Sequence, residues 1–557
     1  MNKKATHYIY ILFTLFSFNG FFAQDYILKI TSNKDLEKSI LKDINYTTNH
    51  NDTTSVNLEI KKVSYFLKKE GYFTNQIDSI KKEDKQHIVY FSLSKKTEEA
   101  IIRVKNDYIP LFKETGYEIS KNRLIISTDK IENILSKLTS ILDNQGQSFS
   151  TVQLENIFIE DNKLFADLNI KQSTKRTIQK VTIKDYEDFP KSYLKNYFNI
   201  KNNTVFSKNK IEEISELSKN LEFVREIKKP EALFTKDSTS LYIYLKKRQN
   251  NSFDGILNFA SQEEGEITFN GNANLKLVNT LNKGEEFSIL WNSIEKERQE
   301  LQINIKTPYI FNSKISPEIS FNIYKQDSSY INSSFESKLK YNINNNLKLG
   351  FSYISESSEN LTSKNLTTNY ESFTSNFFGL NFSYTKHKND LFFNKKFHLT
   401  INPFLGKRTT NKNSSNQLKI KTISSYILDI NNRSSIYIKN EIGYLFSESY
   451  LTNELFRIGG ANSIRGYTEQ SIFTNKFSYI NLEYRYLTSK KSYLYSISDI
   501  GQAKINNSNQ FFLGLGLGYL FTTNNSQINL SIITSKNNSE SVDLKNIKLL
   551  IRWKNFF

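Results

Sequence analysis

Apolar residues change their spacing once along the chain, near residue 250, and the change divides it into two architectures. Upstream, helical spacing alternates with short period-two runs. The stretch NKIEEISELSKNLEFV sets Ile211, Ile214, Leu217 and Leu221 along one side of a helix, the pattern an amphipathic helix presents to a core. Before it come a strand, TIQKVTIKDY, with Val181 and Ile183 on one face, and a short helix from Pro190, a residue tolerated at a helix start because its missing N–H would be unpaired there anyway. A hairpin of REIKKPEALF and STSLYIYLKK follows, with Leu241, Ile243 and Leu245 alternating against Tyr242 and Tyr244. The same order of strand, helices and hairpin occurs twice more. In the second copy the helix carries Ile131, Ile134, Leu135, Leu138 and Leu142 and ends near Gly146, and the hairpin alternates Val152 and Leu154 on one arm and Leu164, Ala166, Leu168 and Ile170 on the other. In the first, Val56, Ile60, Val63 and Leu67 share a helix face, with Gly71 placed as a helix stop.

Downstream, period-two runs continue to the last residue. LQINIK sets Leu301, Ile303 and Ile305 opposite Gln302, Asn304 and Lys306; PEISFNIY and FHLTIN repeat the pattern; NIKLLIRWKNFF alternates Ile547, Leu549, Ile551, Trp553 and Phe557 against Lys548, Arg552 and Lys554. A soluble sandwich also alternates in this way. The count favours a membrane barrel: about sixteen such segments fit between residues 253 and 557, about 19 residues per strand and connection, which suits spanning strands of about 9 to 11 residues. Only closure satisfies every backbone polar group of a sheet in lipid.

Composition agrees with this division. Phe and Tyr raise the aromatic share to 14%, enough to supply interfacial girdles. Near the N-terminus Lys3 and Lys4 precede the apolar run YIYILFTLFSFNGFFA, which ends at Ala23; this is the layout of a cleavable export signal over residues 1–23. Beyond it no stretch approaches the ~18 apolar residues of a spanning helix. With no cysteine, disulfides and thiolate metal sites are excluded. The formal charge of +18 comes from lysines spread along the chain, which reads as solvated faces and predicts no nucleic-acid partner. The five histidines show no metal spacing, and no catalytic or cofactor-binding arrangement stands out, so neither an enzyme nor a cofactor is expected. GLGLGY (514–519) lies in an alternating strand with no helix after it, which argues against phosphate binding; its glycines are expected to leave a bare lumen wall.

A chain with 19 glycines places three within LFRIGGANSIRGY: Gly459, Gly460 and Gly466. The segment lies in a connection of nearly thirty residues between the eleventh and twelfth strand candidates, SIYIKNEIGYLF and KFSYINLEYRYL. Glycine allows the tight backbone of a loop folded back into a lumen. Its single Arg465 then needs carboxylates, because a guanidinium taken out of water is costly unless paired. On the twelfth strand Asn481, Glu483 and Arg485 share the face opposite Ile480, Leu482, Tyr484 and Tyr486, so Glu483 is expected in the lumen, and Asp499 on the next strand is a second partner.

This loop resembles that of the BamA/TamA-type outer-membrane protein assembly superfamily, which includes two-partner-secretion transporters and carries a (V/I)RG(F/Y) tetrad, here Ile464, Arg465, Gly466 and Tyr467. LNKGEEFSIL, TPYIF and SDIGQ resemble further segments of that family, and Ile551, Trp553 and Phe557 its C-terminal signal. The resemblance implies POTRA-like repeats of β-α-α-β-β order at 24–98, 99–173 and 174–250, then a sixteen-stranded antiparallel transmembrane barrel at 251–557, with Arg465 tucked into the lumen on Glu483 and Asp499. It implies an outer-membrane assembly or translocation factor of a diderm bacterium, its repeats in the periplasm, closest in size to TamA. Implied partners are unfolded outer-membrane or secreted clients and outer-membrane lipids, with a periplasm-spanning partner or accessory lipoproteins beside them. The competing readings are a two-partner-secretion transporter dedicated to one substrate and a passive pore.

Overall fold

The structure, a computed structural model, describes residues 26–236, 238–261, 267–294, 298–362, 370–388, 390, 392–537 and 547–557. The expected export signal lies outside these residues. The chain divides into two compact units, Met1–Thr177 with Val205–Asn209 and Ile178–Thr204 with Lys210–Phe557.

The first unit holds two α/β repeats. In the first, Tyr26–Thr31 runs parallel to Gln86–Ser92, with Gln76–Glu83 at the sheet edge. The helix Thr53–Lys69 covers the sheet with Val56, Ile60, Val63 and Leu67, all buried among Leu28, Val89 and Phe91. Asp52 accepts the Ser55 N–H at its start, satisfying one of the orphan donors of the first turn. Gly71 follows its C-terminal cap with φ +97°, and a Cβ there would sit 2.4 Å from the Thr97 carbonyl oxygen. The second repeat is built alike: Glu99–Arg103 is parallel to Lys163–Lys171, Thr151–Glu160 forms the edge, and Ile134, Leu138 and Leu142 of the helix Ile131–Asn144 fill its core.

The second unit holds the third repeat and the barrel. Lys180–Lys184 is parallel to Thr239–Lys247, whose Leu241, Ile243 and Leu245 are fully buried, and Val224–Phe234 is the edge. The helix Lys208–Asn220 is rotated slightly from the face the apolar spacing predicts: Ile214, and Leu221 just beyond it, are buried as expected, Ile211 and Leu217 are half-buried, and Ser215 and Ser218 are buried with them. Two serines present little bulk, and the Ser218 hydroxyl donates to the Ile214 carbonyl 2.7 Å away, so this polar group carries its partner into the core.

Sixteen antiparallel strands close the barrel, from Ser252–Ser261 to Lys548–Phe556. First and last strands pair over eight residue pairs, from Ser252 with Phe556 to Phe259 with Leu549. Across this seam the Arg552 Nη2 lies 2.7 Å from the buried Asp254 Oδ2. Alternation along the strands is inverted relative to a soluble sandwich: Trp291, Phe351, Leu405, Leu482 and Leu517 face outward and exposed, while Glu300, Ser352, Asn481 and Asp499 are buried inside. An apolar exterior around a polar interior, with every strand paired on both sides, is the arrangement lipid requires.

An aromatic cluster seats the third repeat on the barrel turns. Tyr193 meets Tyr309 edge to face at a centroid separation of 5.0 Å, and the Tyr186 hydroxyl accepts from Asn279 and donates to Asn282, each at 2.7 Å. Burial holds the Tyr193 phenol well above its ordinary ionisation range. Gly284 makes the approach possible: its φ is +74°, and a Cβ would fall 2.4 Å from the Tyr193 ring. Gly284→Val is expected to unseat Tyr193 and raise hydrogen–deuterium exchange in the helix Lys191–Asn196, leaving the cores of the first two repeats protected. Unchanged exchange in that helix would show that the contact does not hold the repeat.

Candidate lumenal site

The connection between the eleventh strand (Ser434–Phe446) and the twelfth (Lys476–Ser489) folds into the barrel. A short hairpin pairs Phe456–Ile458 with Ile472–Thr474. At its tip Gly459 and Gly460 adopt φ +103° and +99°, and a Cβ on Gly460 would lie 2.0 Å from the Glu469 carboxylate. Glu469 in turn accepts the Ala461 N–H at 3.0 Å. Ile464 is fully buried among Ile458, Phe477, Tyr479 and Phe512, and the face of Gly501 leaves the space for it, since a Cβ there would meet Ile464 at 2.4 Å.

Arg465 sits between two carboxylates. Its Nε and Nη2 donate to Asp499 at 2.8 and 2.7 Å, its backbone N–H donates to the same carboxylate at 2.8 Å, and Nη1 donates to Glu483 at 2.6 Å. Asp499 is wholly buried. Forked, charge-assisted bonds of this kind fix orientation as well as charge. Asp499 therefore clamps backbone and side chain together, and Glu483 holds the far nitrogen.

Glu483 is shared. Its other oxygen accepts from Arg485 Nε at 2.8 Å, and the Arg485 guanidinium carbon lies 4.0 Å from the Tyr437 ring centroid and 4.5 Å from that of Phe393. Arg485 stands on the lumenal face that the alternation of the twelfth strand identifies, two residues from Glu483; its stacking on Phe393, in a distant turn, is what nothing local in the sequence marks.

The neighbouring residues shape the seat. Gly466, at φ +93°, has its carbonyl bonded by the Ser535 hydroxyl at 3.0 Å, and the Tyr467 hydroxyl accepts the Leu513 N–H at 3.1 Å. Gly514 is bare because Arg465 passes over it: a Cβ would lie 2.2 Å from the Arg465 carbonyl oxygen. The expectation of a bare wall along GLGLGY needs correction further down the strand, where Gly516 faces the Ile532 carbonyl and Gly518 is covered by the Tyr495 ring.

On the opposite wall the loop is fastened by residues that no motif announces. Gln470 Nε2 donates to Glu300 Oε2 at 2.6 Å, the Arg457 guanidinium stacks 3.5 Å from the Tyr324 ring centroid, and Asn332 donates to the Asn453 carbonyl at 2.6 Å. Glu454 is buried, bonded by Arg408 and by Gln417 at 2.8 Å. The loop thus spans the lumen from the fourth, fifth and sixth strands (Arg298–Lys306, Ile315–Gln326, Tyr330–Asn342) to the thirteenth, fourteenth and fifteenth (Ser492–Ile505, Ser508–Thr522, Ser526–Asn537). A polar cavity of about 350 Å³ remains beside it, lined by Glu300, Glu356, Lys419 and Arg457. Among the described residues no group of three or more acidic or histidine side chains is placed to hold a metal.

At the C-terminus, Ile551 pairs with Leu257 across the seam, Trp553 is half-exposed on the outer surface, and the Phe557 N–H donates to the Asn251 carbonyl at 3.0 Å.

Because both carboxylates are buried, removing either is expected to leave an uncompensated charge, a loss of about 3–5 kcal/mol. Asp499→Ala is expected to lower the temperature of heat modification more than Glu483→Ala, since it frees the Arg465 backbone as well as its side chain. Equal, unchanged melting of both variants would show that the cluster does not stabilise the barrel.

No family model matches the chain, and no curated protein does. Solved structures do. CdiB from Acinetobacter baumannii superposes with TM-score 0.54 at 13% identity, covering 89% of this chain and 97% of that one. CdiB from Escherichia coli gives 0.52 at 13% identity, covering 89% and 98%. BamA from Haemophilus ducreyi lacking POTRA domains 1–3 gives 0.46 at 13% identity, covering 82% and 98%. Three α/β repeats ahead of a closed sixteen-stranded barrel, matched over almost the whole length of both CdiB structures, give this chain the same fold as CdiB.

Proposed function

We propose that this protein is an outer-membrane assembly or translocation factor: its repeats, in the periplasm, capture client chains, and its barrel inserts or exports them. The observation that carries the reading is the loop fixed across the lumen by Arg465, Asp499 and Glu483. A passive pore is poorly served by a lumen spanned by its own loop, and has no use for three repeats.

The repeats have a physical means of capture. Gln76–Glu83, Thr151–Glu160 and Val224–Phe234 each lie at a sheet edge, and an edge strand offers unpaired N–H and C=O groups to an incoming extended chain. On Thr151–Glu160 the exposed Ile157, Phe158 and Ile159 add apolar side chains to that edge. Burial of a client's apolar barrel surface in lipid supplies the driving force, so no nucleotide is required.

Arg465 has a positioning role in this reading: it keeps the loop in one lumenal arrangement. Arg465→Ala is expected to leave a heat-modifiable barrel in the membrane with client assembly cut severalfold; full activity in that variant would sink the role. The function itself is tested by depleting the protein and quantifying outer-membrane and secreted proteins. A fall in several unrelated barrels is the expected result. Loss of one secreted protein with barrels unchanged would replace this reading with a dedicated two-partner exporter.

A further inference from the structure

Lysines that look scattered in the sequence converge at one rim of the barrel. Even-numbered strands end, and odd-numbered strands begin, at the rim where Ser252 enters from the third repeat. Lys276, Lys306, Lys340 and Lys554 come near the ends of the second, fourth, sixth and sixteenth strands, and Lys348 and Lys395 at the starts of the seventh and ninth.

Part of this charge is neutralised by the wall. Glu286 bridges Lys276 and Lys306 at 2.8 and 2.7 Å, and Glu318 takes Lys340 at 2.7 Å. Among the described residues the Lys348 and Lys395 side chains make no hydrogen bond or ion pair, and that of Lys554 has only its stack over Phe556 at 5.0 Å. Around Lys348 stand Lys340, Lys306, Lys395 and Glu318; around Lys395, Glu222, Lys306, Lys276 and Glu286; around Lys554, Asp254, Lys276, Arg552 and Glu222. Around Lys348 three cations face one carboxylate, while Lys395 and Lys554 each add a third cation to two cations and two carboxylates.

One of those carboxylates does not belong to the barrel wall. Glu222 lies just beyond the helix Lys208–Asn220 of the third repeat, reaches Lys276 Nζ at 3.4 Å, and accepts from Asn394 Nδ2 at 3.4 Å on a distant turn. Both contacts are long, and the Glu222 side chain is 45% exposed, so it is a weakly held, displaceable polypeptide carboxylate, on a lysine that Glu286 already pairs and close to Lys395 and Lys554.

We propose that this rim is a docking site for an acidic segment of a client polypeptide, whose carboxylates displace Glu222 and pair with Lys348, Lys395 and Lys554. Cations spread around a rim suit charges spaced along a chain better than one compact anion, and the site already accepts a carboxylate of that kind. The inference deepens the client-handling reading and rests on it for the identity of the partner.

The test uses the purified full chain in detergent and a fluorescent decapeptide of alternating Glu and Ser, with a Gln-for-Glu peptide as control. Anisotropy is expected to show binding of the Glu peptide only, weakening as salt screens the charges. The triple variant K348Q/K395Q/K554Q should lose about tenfold or more in affinity, or 1.4 kcal/mol. Glu222→Gln should tighten binding, and K61Q/K68Q, on the exposed face of the helix Thr53–Lys69, should change nothing. Heat modifiability verifies that each variant is folded. Equal binding of both peptides, or an unaffected triple variant, overturns the proposal; displacement of the peptide by millimolar inorganic phosphate replaces it with a general anion site. Peptide binding is read without reference to assembly, so a failed depletion experiment leaves this outcome separately visible.

Discussion

A guanidinium cannot be brought into the interior of a barrel without carboxylates to receive it, and that requirement organises the lumen. Arg465 is met by Asp499 and Glu483 from adjacent strands, and the consequences spread outward. Gly514 must be bare to let the backbone pass, Gly501 must be bare to seat Ile464, and Gly466 must take a left-handed conformation to turn the chain toward Ser535. Glu483 then carries a second cation, Arg485, which ties the site to Tyr437 and Phe393. A sequence sparing with glycine spends it where the loop and the wall touch.

The membrane imposes the second constraint. With apolar residues outward, the barrel interior is free to be polar, and the chain uses that freedom to build ion-paired layers: Arg465 with its carboxylates, the Arg408–Glu454 pair at the base of the loop, and the lysine-rich rim beside the third repeat. Tyr193 and Gly284 join that repeat to the rim, which brings Glu222 within reach of Lys276. Repeat, rim and loop are therefore connected within one compact unit.

Much of this is legible in the sequence because period-two alternation carries direction. Ile480, Leu482, Tyr484 and Tyr486 identify the outer face of the twelfth strand, so the alternation alone turns Asn481, Glu483 and Arg485 inward. The helix faces of the first two repeats are legible for the same reason, at a period of 3.6. Illegible features are those set by packing between distant segments. Ser215 and Ser218 are buried while Leu217 is half-buried, a rotation of the helix that its apolar spacing does not carry. Gly518 is covered by Tyr495 through the register of two paired strands, and Glu454 meets Arg408 only where the loop folds back onto the strand Lys395–Thr410. Lysines dispersed over nearly three hundred residues reveal their common rim only when strand ends are superimposed.

The most direct measurement of the central claim is hydrogen–deuterium exchange across residues 457–467 in lipid, comparing the native chain with Arg465→Lys, which keeps the charge and loses the planar fork. If the fork anchors the loop, native amides in this segment are protected, and the lysine variant exchanges at least tenfold faster there while the flanking strands Ser434–Phe446 and Lys476–Ser489 keep their protection. Free exchange of the native loop, or equal protection in both proteins, would contradict the account.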